Sequence, residues 1–252
     1  RMVGLFFSST FVASLLGVFL SGIMDWRWLF FIPALLGLVV TGLVLFFFPD
    51  EMKKTDGFET NYLQVLASKN ILKIFILIFL VSLLYHATYN WLGVYLERLY
   101  HLSQLHISLL LTLIGLSGAF GQVVGGFITD KKGRMKSCHL GLIILAVSVM
   151  LLAGRFPVWL LVLIFISFGI GWTVNHNSLA TILTDFPDKY RPEVSSLNSA
   201  VRFVSGGIGV ALSGLFIEKN FAFTYLTFGI ILLALSVFIK YFVNEATTYG
   251  MK

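Results

Sequence analysis

Long apolar segments separated by short polar connections run along nearly the whole sequence. A helix that crosses a bilayer needs roughly 20 mostly apolar residues, and the pattern predicts eight spans of about that length. Strands of a membrane barrel alternate apolar and polar residues over about ten positions, whereas these segments are apolar on every side. The pattern therefore predicts an all-α polytopic membrane protein. The predicted spans, one to eight, are Val3–Ile23, Leu29–Phe48, Ile71–Leu96, Ile107–Thr129, Cys138–Gly154, Val158–Leu183, Leu197–Ile217 and Phe221–Val243.

The connection after span two is longer than the others. It covers residues 49–70, is polar and carries charges of both signs. Its second half, Phe58–Lys69, has the pattern of a short amphipathic helix that lies on a membrane surface. We therefore expect a long loop that separates two groups of spans.

Composition supports the same class of protein and argues against others. Hydrophobic residues make up 58% of the 252 residues and charged residues 12%, against about 25% charged in soluble domains. The net charge of +6 does not indicate a nucleic-acid partner, because the basic residues sit in short loops and form no continuous face. The single Cys138 excludes an internal disulfide framework and a cysteine metal site. Neither a cofactor nor a metal is expected.

The basic residues also predict an orientation, because Lys and Arg are enriched in cytoplasmic loops. Most of the 18 Lys and Arg residues fall on one side of the predicted spans. We therefore expect a bacterial inner-membrane protein in which both ends of this chain and the loop 49–70 are cytoplasmic. The exceptions are Arg27, Arg98, Arg155 and Lys219 on the other side, and Arg202 inside span seven.

Two of the spans resemble each other. Leu5–Gly22 and Leu197–Gly214 align without gaps and share Gly-Val-x-Leu-Ser-Gly near their ends. This indicates an internal duplication, with chance similarity between apolar helices as the alternative. Six spans separate the copies, so a duplicated protein would have twelve.

The loop after span four carries the most specific motif. It reads G-F-I-T-D-K-K-G-R-M-K from Gly126 to Lys136 and resembles the G-x-x-x-D-x-x-G-R-x-K signature of the major facilitator superfamily. Gly126 would let the end of the span pack against a neighbouring helix, and Gly133 would permit a tight turn. Asp130 could accept hydrogen bonds from Arg134 or a helix N-terminus. The resemblance implies a cytoplasmic gate. The alternative is that the lysines only supply positive charge on the inner side.

The resemblance implies a partial major facilitator fold equivalent to helices five to twelve of a twelve-helix protein. Residues 1–48 would be the last two helices of the N-terminal half, 49–70 the cytoplasmic loop, 71–243 the six-helix C-terminal half and 244–252 a cytoplasmic tail. The missing N-terminal helices of the same protein would then be partners of this chain, together with the lipid bilayer.

Span one also resembles the family's antiporter motif of its fifth helix. The corresponding small residues are Gly4, Ala13, Gly17, Ser21 and Gly22, while a valine stands where the motif has proline. Small residues four apart also let two helices approach closely, so helix packing is the alternative reading.

Polar residues within the spans are the candidates for a solute pathway, because they are costly in a bilayer and tend to face a cavity or a partner helix. In the family that this chain resembles, spans three and six line the central cavity. The alternative is that the amides only hydrogen-bond neighbouring helices. The candidates are Tyr85, His86, Tyr89 and Asn90 in span three, Gln122 in span four, and Trp172, Asn175 and His176 in span six.

Three titratable residues bear on coupling and gating. No Asp or Glu lies deep within a predicted span, so His86 and His176 are the candidates for carrying protons, since histidine titrates near neutrality. Arg202, about one and a half turns inside predicted span seven, would either extend towards the cytoplasmic interface or pair with Asp185.

These features predict a secondary transporter of a small organic solute that works by alternating access, with protons as the candidate coupling ion and efflux as the candidate direction. A non-transporting polytopic subunit and a membrane enzyme are the alternatives. No nucleophile with a base and no metal cluster is recognisable, so the chain is not expected to be an enzyme.

Overall fold

The structure, a computed structural model, describes residues 12–47, 62–187, 190–217 and 219–243. Helices joined by short connections account for these ranges, which contain no strand. This confirms the all-α prediction. The helices are α1 at residues 12–20, α2 Trp26–Phe47, α3 Tyr62–Ala67, α4 Lys69–Tyr89, α5 Leu92–Tyr100, α6 Gln104–Lys132, α7 Arg134–Leu151, α8 Val158–Leu183, α9 Arg191–Ile217, α10 Phe221–Val237 and α11 Ile239–Phe242.

The lengths and composition of these helices fit a membrane protein. Six continuous helical stretches of the described chain are long and apolar enough to cross a bilayer, and α10 is a shorter apolar helix. They are α2, the pair α4 and α5 taken together, α6, α7, α8 and α9. The protein is therefore an integral membrane protein.

Helix α8 lies at the centre of the bundle, against α6 on one side and α7 on the other. Helix α7 also packs on α10, and α4 packs on α9. Close approach depends on glycine. A Cβ atom at Gly121 of α6 would lie 2.9 Å from Ile170 Cα of α8, and one at Gly141 of α7 would lie 3.0 Å from Asn175 Cα. Without side chains at these points the backbones can pack directly against each other.

The first two helices are held differently. Helix α2 contains no buried residue, whereas α1 touches α6 through Leu15 at Gly115. In the turn after α1, Gly22 touches Ser108 of α6. Of the predicted small-residue motif, Gly22 therefore packs closely, Ala13 is exposed, and a Cβ at Gly17 would meet no described atom within 4 Å. Ser21 donates a hydrogen bond to Val18 O at 2.6 Å. Gly4 lies outside the described residues.

Several predicted boundaries were wrong. Span three is interrupted at Asn90 and Trp91, between α4 and α5. Helix α9 begins at Arg191, six residues before the predicted Leu197. The proline at position 192 does not prevent this start, since proline is compatible with the first turn of a helix. The described part of the predicted surface helix is only Tyr62–Ala67.

Two ends of the bundle can be distinguished by charge. We call the end at which α4 begins and α6 ends the basic end, because Lys69, Lys131, Lys132 and Lys136 lie there. The opposite end holds the connection from α5 to α6 and the connection from α7 to α8.

Candidate functional site

A cavity of about 280 Å³ lies where α4, α6 and α8 meet. The residues that line it lie in the last two turns of α4 and in the central parts of α6 and α8, and Ser14 of α1 also reaches it. Most of its wall is aromatic or imidazole surface, with an amide from α6. The six predicted pathway residues that the structure brings together here are Tyr85, His86, Tyr89, Gln122, Trp172 and His176.

An aromatic stack forms one wall of the cavity. The rings of Tyr85 and Trp172 are nearly parallel, with centroids 3.7 Å apart. Tyr89 stacks on the other side at 5.6 Å from Tyr85, and Phe168 lies 5.2 Å from Tyr85. The positions 85 and 89, and likewise 168 and 172, are four apart and so share one face of a helix. The sequence interpretation missed Phe168, although its spacing from Trp172 was the available signal.

Two histidines flank this stack. The His86 ring lies 5.1 Å from Tyr85 and 6.0 Å from Trp172, and the His176 ring lies 5.5 Å from Trp172. Among the described residues, no side chain or backbone group hydrogen-bonds the imidazole nitrogens of either histidine. Both rings can therefore donate to or accept from a solute in the cavity.

Arg202 of α9 lies beside the same region. Its backbone oxygen accepts a hydrogen bond from Ser82 of α4 at 3.3 Å. One turn further along α9, a Cβ at Gly206 would lie 3.0 Å from the His86 ring. The Arg202 Nε donates to Asn198 Oδ1 at 2.9 Å. The proposed partner Asp185 binds elsewhere, so the predicted Arg202–Asp185 pair is not present in this structure.

Two of the predicted pathway residues lie outside the cavity. Asn175 is fully buried against α7, where its Nδ2 donates to Cys138 O at 3.1 Å and contacts Cys138 Sγ at 3.2 Å. Asn90 is exposed in a second cavity of about 450 Å³ beside α5, which Glu97 and Gln104 also line. Hydropathy does not specify how a helix is rotated about its own axis. Side chains of adjacent helical residues point about 100° apart, so a polar residue next to a cavity residue can face a different helix.

An ion pair joins two helix ends at the basic end of the bundle. Arg134 at the start of α7 pairs with Asp185 directly after α8. Gly133 has a φ of 86° between α6 and α7, which is the tight turn that the motif predicts. Asp130 is exposed and makes no hydrogen bond or ion pair with the described residues, and Lys136 is also exposed. The motif's acidic partner for Arg134 is thus Asp185 and not Asp130.

Helix α6 approaches α8 most closely in this region at Gly125, the residue before the predicted Gly126. A Cβ at Gly126 would stand 3.7 Å from Asn177 Nδ2, an ordinary contact, whereas one at Gly125 would stand 3.1 Å from Val174 Cα. The expectation that Gly126 lets the helix end pack closely was therefore wrong by one position.

A buried hydroxyl cluster joins three helices just inside the ion pair. Thr129 of α6 donates to Ser137 Oγ of α7 at 3.0 Å, and its oxygen lies 3.3 Å from Ser178 Oγ of α8. The sequence interpretation missed these residues, because isolated Ser and Thr in an apolar helix usually bond their own backbone. The cluster therefore links α6 to the two helices, α7 and α8, that the ion pair brings together.

The side chains around the cavity between α4, α6 and α8 can bind an organic solute. Within the described ranges, no three His, Cys, Asp or Glu residues come together in a way that would hold a metal ion. The cavity offers aromatic faces, two imidazoles and an amide, with a guanidinium close by. Such a surface can bind an organic solute by stacking and hydrogen bonds.

Comparison with known proteins places the chain in a family. The model of the Major Facilitator Superfamily matches residues 1–210. An uncharacterized MFS-type transporter of Bacillus subtilis (strain 168), YwfA, is 26% identical over 253 residues, which cover 94% of this chain and 60% of that protein. The chain thus spans about 60% of the length of the relative it matches. The family match covers well over half of the sequence and confirms the resemblance that the Gly126–Lys136 motif indicated, so this chain belongs to the major facilitator superfamily.

Proposed function

We propose that this chain forms part of a secondary active transporter that moves a small organic solute by alternating access. The observation that carries the proposal is the cavity at mid-depth between α4, α6 and α8, with its stack of Tyr85 and Trp172 beside two histidines. Substrate sites of secondary transporters lie near the middle of the bilayer, between groups of helices that move against each other. The family of the chain and the position of the cavity support the same activity.

In this proposal the ion pair of Arg134 and Asp185 is a gate contact. It joins the start of α7 to the end of α8 at the basic end, which we assign to the cytoplasm because Lys and Arg are enriched in cytoplasmic loops. The contact holds that end closed in one state and breaks in the other. The hydroxyl cluster around Thr129 lies on the same helices and stabilises the closed arrangement further.

The proposal divides the chain into two helices of an N-terminal half and a six-helix C-terminal half at 71–243. The lack of buried residues in α2 and the 60% coverage of the relative support further helices that cover α2 and complete the cavity wall. His86 and His176 are the candidate proton carriers, and efflux driven by protons is the candidate direction. No acidic residue among the described spans lies at the depth of the cavity.

An exchange assay on the full natural polypeptide that contains this sequence tests the proposal. The protein is reconstituted in liposomes loaded with a mixture of unlabelled organic solutes, and saturable uptake of labelled solutes by counterflow is measured. Loss of one aromatic contact is worth about 0.5–1.5 kcal/mol, so Trp172→Ala should raise the KM of the transported solute roughly two- to tenfold. Trp159→Ala is the matched control, because Trp159 is on the same helix and is 67% exposed.

Saturable counterflow that depends on Trp172 and not on Trp159 would support a carrier that uses this cavity. Equal effects of the two tryptophans would mean that the solute binds elsewhere. If the reconstituted protein exchanges no solute at all, a non-transporting membrane subunit becomes the better explanation.

A further inference from the structure

The charges around the cavity are unbalanced. Helix α9 starts earlier than the sequence predicted, so Arg202 lies about three turns inside it and close to the middle of the bundle. All five acidic residues in the described ranges lie at the ends of the helices. They are Asp25, Glu97, Asp130, Asp185 and Glu193. The formal charge at mid-depth in the described chain is therefore positive.

The hydrogen bonds of Arg202 leave part of its guanidinium available. Nε donates to Asn198 Oδ1, but Nη2 is buried and has no hydrogen-bond partner among the described residues. A charged side chain inside a membrane is costly, and such residues almost always pair or mark a substrate pathway. A buried guanidinium with a free donor calls for an anionic partner.

Arg202 is also near the residues that line the cavity. Gly206, one turn along the same helix, touches the His86 ring, and Ser82, one turn before His86, bonds to the Arg202 backbone. The backbone of α9 around Arg202 therefore lies against the part of α4 that carries His86, next to the stack formed by Tyr85 and Trp172.

We propose that the solute bound in this cavity is an aromatic anion, whose ring stacks on Tyr85 and Trp172 and whose carboxylate is recognised by Arg202. This inference rests on the proposed function and adds the class of substrate. The carboxylate supplies the counter-charge that the described residues lack, while the histidines can donate further hydrogen bonds to it. A carboxylate on a helix outside the described ranges is the competing source of that charge.

Three probes of one size and different charge test the inference. They are 2-naphthoate, 2-naphthamide and 2-naphthylmethylammonium, and their dissociation constants are measured by calorimetry on the full natural polypeptide in nanodiscs. We expect 2-naphthoate to bind at least tenfold more tightly than the amide. Arg202→Gln should bring that ratio close to one by weakening 2-naphthoate most, and an unfolding temperature close to that of the parent shows that the variant is folded.

Two further variants sharpen the comparison. Arg202→Lys keeps the positive charge, so it should keep part of the preference for the anion. Arg98→Gln removes the same charge from an exposed position near the opposite end, and it should leave the ratio as it is in the parent protein.

Other outcomes overturn the inference in recognisable ways. If the three probes bind equally, or the ammonium binds best, and Trp172→Ala weakens all of them, the cavity binds aromatic solutes but a protein carboxylate neutralises Arg202. If none of the probes binds, the aromatic anion is wrong, and the counterflow assay decides separately whether the protein is a carrier.

Discussion

Glycines on α6 differ in what surrounds them, although they are only a few residues apart. A Cβ at Gly121 would press on the backbone of Ile170, while one at Gly126 would make an ordinary contact with Asn177. Both glycines lie in the same helix, where alanine is about 1 kcal/mol more favourable by intrinsic propensity. The two positions therefore differ only in how closely α8 packs against them.

We predict that Gly121→Ala lowers the thermal unfolding temperature and that Gly126→Ala does not. Overpacking of a tight helix contact costs about 1–3 kcal/mol, which exceeds the gain in helix propensity. The measurement is thermal unfolding of the two variants and the parent in the same detergent. Equal unfolding temperatures for the two variants would mean that α6 and α8 can separate enough to admit a methyl group.

The sequence identified half of the residues that line the cavity, its aromatic, imidazole and amide side chains, but not which side of each helix faces it. Asn175 and His176 are adjacent polar residues in an apolar span, and nothing in hydropathy distinguishes them. In the folded protein Asn175 hydrogen-bonds α7 and His176 lines the cavity. The choice depends on the glycines at 141 and 171, which bring α7 against α8, and this contact is not visible in the sequence of one helix.

At the scale of elements, an ion pair joins the start of α7 to the end of α8 at the basic end. Arg134 and Asp185 are both partly buried, with 35% and 19% of their side chains exposed, so the pair is screened less than a surface pair. Asp25 and Arg27 form another ion pair, at 3.6 Å and with both side chains largely exposed. Such exposed pairs contribute little to stability.

We predict that Asp185→Asn opens the basic end. In a Cys138→Ala background, a cysteine placed at Gln122 in the cavity should react several times faster with an impermeant maleimide added from that end. The double exchange of Arg134→Asp with Asp185→Arg should restore the slow rate, since the pair is re-formed with reversed charges. Asp25→Asn is the control that removes one carboxylate near the opposite end.

An unchanged rate in Asp185→Asn would remove the ion pair from the gate. Asp130→Asn would then be the next variant to examine, because the family motif assigned the gate to that residue. The sequence could name both aspartates but could not pair them. The partner of Arg134 depends on how the end of α8 packs beside the start of α7, and Asp185 is 51 positions further along the chain than Arg134.

Element boundaries show the same limit. The apolar pattern predicted which segments of the chain form most of the helices, because lipid-facing surfaces remain apolar along the whole length of a span. It did not predict the interruption of span three at Asn90 or the start of α9 at Arg191. Beside the interruption, the Trp91 Nε1 donates to Val210 O of α9 at 3.3 Å. A contact between helices so far apart in the chain is not visible in the hydropathy of one span.

For the whole molecule, the distribution of charge predicts a single orientation. The lysines at the ends of α4, α6 and α7 make one end of the bundle basic. The described basic residues at the opposite end are Arg27, Arg98, Arg155 and Lys219. Loops rich in Lys and Arg are retained in the cytoplasm during insertion. The basic end should therefore face the cytoplasm.

Single-cysteine labelling tests this orientation on the full natural polypeptide in bacterial cells. The natural Cys138 is buried, and replacing it with alanine gives a background without other thiols in this sequence. We predict that an impermeant maleimide labels cysteines at Ser103 and Arg155 in intact cells. A cysteine at Lys132 should be labelled only after the membrane is permeabilised, because it is exposed but on the inner side.

Labelling of Lys132→Cys in intact cells would reverse the assignment of the gate to the cytoplasm. Partial labelling at all three positions would mean that the protein inserts in both orientations, and that its charge bias is too weak to select one.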